Sequence, residues 1–443
     1  MARVLLINPP SPERLGAPLL GQQYVAASLI AGGHEVRVMD AAGLHARLSD
    51  EEILSEVESF RPHLTGFGLF TRWVWHAYGL ARKLRGRAGW LVAGGAHPTV
   101  RPFEPLDHGF DISVTGEAEQ TILDLARQAE AGAPVPASPV RSEFIEDLDS
   151  LPSPQLAQAL YDPRWYNSHG RETIPGGILT SRGCPARCTF CANYVTGRGF
   201  RYRSASNVVA ELNAYNRRTG CTFFPFWDDA LTANVARLRE LCLCFEEEIE
   251  FPLGWSAITR ANMVTRDLLR AMKSAGCVSV NFGVESGDNE ILRVIKKGVS
   301  TEHVVRALEW AKAEGLMTAC NFMLGFPQET PSALEKTLFF MQRIAPMVDV
   351  FSTLGVVVPF PGTPLYEDFH LRYGFTDWWL KEEYSRYVPL PSPEEIARFR
   401  RQYMDDANLE LDFFRYSPEM RNLIRDCLRY KAEHNLSRMY AAA

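Results

Sequence analysis

The chain has 443 residues, more than the roughly 250–300 that one hydrophobic core usually supports, so two or more domains are expected. Lys and Arg number 47 against 53 Asp and Glu, a net charge of −6 without blocks of one sign, which argues against a nucleic-acid groove or a polybasic membrane surface and leaves small molecules as the expected substrates. No segment approaches the ~18 apolar residues of a membrane span, and the apolar run at the N-terminus is too short for a signal peptide, so a soluble, cytoplasmic protein is expected.

Residues 1–133 alternate short apolar runs, at 4–7, 36–39, 64–69, 90–93 and 112–114, with loops and helix-like segments. That alternation predicts a doubly wound parallel α/β sheet. Ligands of such sheets bind beyond the carboxyl ends of the strands. Those ends read Asn8-Pro9-Pro10, Phe70-Thr71-Arg72-Trp73, Gly94-Gly95-Ala96-His97-Pro98 and Thr115-Gly116-Glu117, so four loops point at one crevice unless they are ordinary turns. Residues 134–175 carry Pro134, Pro136, Pro139, Pro152 and Pro154 with little apolar periodicity, which marks a linker.

A second βα series occupies 176–365, with strand patterns at 177–180, 222–227, 254–257, 278–284, 318–324 and 348–357. Six units suggest a partial (β/α)6 barrel with its functional residues at the strand ends. After the first of these strands comes Cys184-Pro185-Ala186-Arg187-Cys188-Thr189-Phe190-Cys191. Three thiolates so close suit one face of a [4Fe–4S] cube, and no fourth Cys or His follows nearby to complete a zinc site, so one iron stays open. Asp228-Asp229 and Glu285-Ser286 end later strands, where carboxylates can accept hydrogen bonds from an ammonium group or ribose hydroxyls; Asp229 and Glu285 could equally cap the helices that follow. The other cysteines, Cys221, Cys242, Cys244, Cys277, Cys320 and Cys427, read as reduced core thiols. Residues 366–443 form a helical extension, expected as a C-terminal cap, whose Trp378, Trp379, Tyr384 and Tyr387 read better as core or interface than as a pocket.

The triad, with Phe226-Trp227-Asp228-Asp229-Ala230-Leu231-Thr232, Gly283–Gly287, Gly325–Thr330 and Pro359-Phe360-Pro361-Gly362-Thr363-Pro364-Leu365-Tyr366, resembles the motif series of the cobalamin-binding radical SAM enzymes. Asn8-Pro9-Pro10, Gly94 to Pro98 and Asp111 to Glu119 resemble the B12-binding domain of that family. The resemblance implies a [4Fe–4S] cluster on Cys184, Cys188 and Cys191, with S-adenosyl-L-methionine (SAM) on the open iron. It places Phe190 against the adenine, Asp228 or Asp229 at the methionyl amine, and Glu285 with Ser286 at the ribose. For cobalamin it implies Pro9, Pro10, Gly68, Phe70, Thr71, Arg72, Trp73, Gly94, Gly95, His97, Gly116 and Glu117. The Asp-x-His-x-x-Gly motif that supplies a His to cobalt is missing, since Asp107-His108-Gly109 lacks its spacing; Arg72 or Trp73 would cover that face without coordinating it. The activity implied is C-methylation of an unactivated carbon of a small molecule, started by a 5′-deoxyadenosyl radical and fed by an electron donor such as flavodoxin or ferredoxin. Cyclisation, ring rearrangement or oxidation with the same cofactors, and loss of cobalamin from the first domain, are the alternatives.

Overall fold

A computed structural model of the protein describes residues 1–10, 15–46, 48–166, 177–382 and 407–441. These residues divide into two compact units: the described parts of Met1–Gly176 with Tyr194–Thr196 and Thr376–Leu390, and those of Gly177–Asn193 with Gly197–Phe375 and Pro391–Ala443.

The first unit is a parallel sheet of β1 (Arg3–Asn8), β2 (Glu35–Asp40), β3 (Leu64–Gly68), β4 (Trp90–Gly94), β5 (Ile112–Thr115) and β6 (Val140–Arg141), in the order β2-β1-β3-β4-β5-β6. Val4, Leu5, Leu6 and Ile7 are all buried, as a central strand covered on both faces requires. In this order the chain reverses direction of winding between β1 and β3, and that switch point is where a doubly wound sheet opens a crevice for a ligand.

The segment read as a linker is structured in its described part. Val140 and Arg141 pair with Val114 and Thr115 as the sheet's edge strand, and Pro154–Leu160 forms a 3-10 helix beside the helix Leu20–Ala31. Tyr161 and Tyr166 enter the core. Tyr161 donates to Gln22 Oε1 at 2.9 Å, Gln22 and Asn8 exchange two amide hydrogen bonds, and Tyr166 donates to buried Asp40. A 3-10 helix with prolines has no 3.6-residue apolar period, so its burial leaves little trace in the sequence.

In the second unit β9 (Phe223–Phe226), β10 (Gly254–Thr259), β11 (Cys277–Glu285), β12 (Met317–Leu324) and β13 (Val350–Val356) form a parallel sheet, to which Ile178 adds a single bridge beside Phe226. This is the partial barrel, with the expected first strand reduced among the described residues to that bridge. Two short antiparallel strands between Ile178 and β9, β7 (Ser181–Arg182) and β8 (Arg201–Tyr202), bracket the Cys loop. Buried positions alternate along β10 and β12. The barrel helices start at Ser204, Asn234, Thr265, Ser300 and Thr330, each of which accepts a backbone N–H of the first turn, a cap worth about 1 kcal/mol.

The described parts of the C-terminal extension divide between the two units. Trp378 and Trp379 are buried in the first unit, whereas the helix Pro418–Ala441 belongs to the second, where Asn435 exchanges two 3.0 Å hydrogen bonds with the backbone of Phe351 and so covers the outer edge of β13. Tyr384 and Tyr387 lie outside the described residues. No helix among the described residues is long and apolar enough to cross a membrane.

Candidate functional site

Gly183 opens the Cys loop with φ +91°, and a Cβ there would lie 2.0 Å from the Gly199 carbonyl oxygen, so the bracket closes only around a residue without a side chain. Inside it Cys184 N–H donates to the Gly197 carbonyl, Thr189 N–H to that of Ile295, and Asn193 Nδ2 to that of Ala186 at 2.8 Å. Cys184 and Cys188 are buried and Cys191 is exposed. Burial raises the Cys184 thiol above its ordinary value. All three are free thiols, and no three His, Cys, Asp or Glu groups among the described residues gather around one cation position. Separate sulfurs are what a cube needs, because each thiolate binds a different iron. Three thiols within one loop are a donor set that fits such a cluster.

The carboxylates at the strand ends separate into different roles. Asp228 is buried and saturated: it accepts from Thr180 N–H at 3.2 Å, Thr180 Oγ1 at 2.6 Å and Ser181 Oγ. Burial raises its pKa, and Arg237, which donates to Thr180 Oγ1 and Thr180 O, opposes that shift. It fastens the first barrel segment to β9. Asp229 instead accepts from Gly183 N–H at 3.1 Å, at the entrance of the Cys loop.

Glu285 closes β11 with φ +73° and pairs with buried Lys297, Oε1 to Nζ 2.6 Å, and that Nζ lies 5.9 Å from the centre of the Phe190 ring. Phe190 also packs on Phe326, ring centres 5.7 Å apart. Ser286 faces away from this group: its Oγ is 3.2 Å from Thr337 Oγ1 and accepts from Asp288 N–H. Asp228, Asp229, Glu285 and Ser286 thus each serve the fold, and Phe190 packs beside the Glu285–Lys297 pair.

At the strand ends of the first unit, several expected cobalamin residues also serve the protein itself. His97 is buried between Thr71 Oγ1, 3.2 Å from Nδ1, and Glu104 Oε1, 2.9 Å from Nε2. Tyr78 and Trp379 donate to the same Glu104 carboxylate. Burial alone would raise Glu104; the hydrogen bonds from His97, Tyr78 and Trp379 outweigh it and hold the group below its usual value. Gly95, at φ +105°, would place a Cβ 3.0 Å from Leu69 O, so its lack of a side chain serves the packing of the loop after β3. A Cβ on Gly116 would collide with Ser142 O, and Glu117 accepts from Ile145 N–H at 2.8 Å.

The free surface lies elsewhere on this end. A Cβ on Gly94 would meet nothing within 4 Å, one on Gly68 would touch only Asn8 Oδ1 at 3.4 Å, and Phe70 is 41% exposed against buried Trp73. Pro10 is partly exposed and Pro9 buried. Strand ends without side chains beside the switch point fit a broad, flat corrin. Sequence reasoning missed Lys297, Glu104, Arg237 and Arg260. Only Arg260 carried a signal, since it lies three residues past the predicted strand 254–257, on the end of the barrel strands where Asp228 and Glu285 also lie.

Two family models match the chain: B12 binding domain over residues 17–126 and Radical SAM superfamily over 178–341. An uncharacterised methyltransferase of Pyrococcus horikoshii is 29% identical over 390 residues, 82% of each chain. An anaerobic magnesium-protoporphyrin IX monomethyl ester cyclase of Rubrivivax gelatinosus is 26% identical over 96% of this chain and 82% of its own. The fold matches that of the radical SAM methyltransferase TsrM from Kitasatospora setae, solved with cobalamin and a [4Fe–4S] cluster, at TM-score 0.65 and 20% identity over 84% of this chain and 76% of that one. The two domains bring a [4Fe–4S] cluster, SAM and cobalamin as cofactors. With a B12-binding sheet ahead of a radical SAM partial barrel, the chain belongs to the cobalamin-binding radical SAM enzymes.

Proposed function

We propose that the enzyme methylates an unactivated carbon of a small molecule. The observation that carries this reading is the similarity to a methyltransferase over 82% of both chains. When bound, the cluster and one SAM would supply a 5′-deoxyadenosyl radical, and cobalamin would supply a methyl group taken from a second SAM, which leaves as S-adenosylhomocysteine.

The chain's own residues bind and orient. Cys184, Cys188 and Cys191 would hold three irons in the β7–β8 bracket. Phe190, backed by Phe326 and Lys297, offers an aromatic face to the adenine. Glu285, fixed by Lys297, would accept ribose hydroxyls, and Asp229 is the better placed of the adjacent carboxylates for the methionyl ammonium. Gly68 and Gly94 would let the corrin rest against strand ends, beside the loop of Phe70, Arg72 and Trp73. The reducing electron comes from an external one-electron donor of the flavodoxin or ferredoxin kind.

Cyclisation is the second reading, favoured by the alignment of a cyclase over 96% of this chain. Anaerobic reconstitution with iron, sulfide and cobalamin, then mass spectrometry of SAM products with a candidate substrate, separates the two. Methylation yields S-adenosylhomocysteine together with 5′-deoxyadenosine. Substrate conversion with 5′-deoxyadenosine and no S-adenosylhomocysteine points to cyclisation.

A further inference from the structure

Arg260 follows the carboxyl end of β10, and its Nη1 donates to Cys188 Sγ at 3.3 Å. Its Nε is buried and meets no acceptor among the described residues. The turn it passes is held by Asn262, whose Nδ2 donates to Gly298 O at 2.9 Å, and a Cβ on Gly298 would lie 3.4 Å from Arg260 Nη2. A guanidinium held in place against a thiol, with no carboxylate bonded to it among the described residues, presents its charge to whatever that thiol binds. The opposing charge comes from Asp229, whose carboxylate accepts from the N–H of Gly183, the residue before Cys184.

We propose that Arg260 sets the reduction potential of the cluster on Cys184, Cys188 and Cys191, with Asp229 as the counterweight. This rests on assigning the triad to the cluster. Reduction adds one electron from the external donor to an already anionic cube, with no bond broken and no proton moved at Arg260. A fixed cation that donates to a ligand sulfur stabilises the more negative state and raises the potential, whereas a fixed carboxylate lowers it. The triad alone does not reveal this setting, because Arg260 lies 72 residues from Cys188 in sequence.

The test is a redox titration of the reconstituted full-length protein without SAM, followed by the paramagnetic signal of the reduced cluster, in wild type, Arg260→Gln, Arg260→Lys and Asp229→Asn. Arg260→Gln should disfavour reduction about tenfold, equivalent to ~59 mV for one electron, and Asp229→Asn should favour it. Arg260→Lys, which keeps the charge, should fall between wild type and Arg260→Gln. A complete cluster in Arg260→Gln at the wild-type potential would overturn the proposal. Should Arg260→Gln fail to retain iron, Asp229→Asn decides: a raised potential supports the charge pair, and an unmoved one overturns it. Wild-type protein that takes up no iron would instead overturn the triad assignment, and this proposal with it.

Discussion

Replacing any one of Cys184, Cys188 or Cys191 with Ala removes an iron ligand that no neighbouring residue can supply, so the cluster's absorption and 5′-deoxyadenosine formation should both be lost. Cys242→Ala and Cys244→Ala should leave both intact, because these thiols lie on the helix Val235–Glu248, outside the Cys loop. Retained SAM cleavage in a triad variant would contradict the assignment. Glu329 gives a second test at this scale. It sits on the loop after β12, accepts from the N–H groups of Gly325 and Phe326, and burial pushes its pKa up to about 8. Its folded site favours the proton, so its contribution to stability is full below the ordinary value of 4.5 and is lost as pH rises towards 8. Glu329→Gln should flatten that decline in thermal unfolding followed across this range; an unchanged slope would mean that Glu329 does not titrate there. The triad was legible because its chemistry is carried by spacing within one loop. The different roles of Asp228 and Asp229 were not, because they depend on Thr180, Ser181 and Gly183, which only folding brings to β9.

The β7–β8 bracket and the strand ends of the first sheet are the elements that make these sites. A side chain at Gly183 would have to displace the Gly199 carbonyl, so Gly183→Ala should cost the cluster while corrinoid binding persists. In the first sheet, Gly94→Val and Gly95→Val separate the pocket from its support. Val at 94 projects into open space and should reduce corrinoid binding without lowering the melting temperature of this unit. Val at 95 meets the Leu69 backbone at positive φ and should destabilise the unit as well. Equal corrinoid binding in wild type and Gly94→Val would remove the corrin from this strand end. The sheet and the barrel were readable from apolar runs of strand length. The 3-10 helices of 154–166 were not, since prolines and a three-residue turn give no amphipathic period. Nor was Trp379, whose indole N–H reaches the Glu104 carboxylate across 275 residues of sequence.

At the scale of the molecule, one chain joins two candidate sites with separate requirements: a Cys loop in the barrel unit and strand ends without side chains, at Gly68 and Gly94, in the sheet unit. Each lies in its own compact unit, so losing one cofactor should not unfold the seat of the other. The most direct measurement is the iron and corrinoid content of wild type and Cys188→Ala after identical anaerobic reconstitution, read together with reductant-driven SAM cleavage. Wild type should bind both cofactors and cleave SAM, and Cys188→Ala should lose the cluster and SAM cleavage while keeping its corrinoid. A wild type that binds no corrinoid, or a Cys188→Ala variant that still cleaves SAM, would contradict the account.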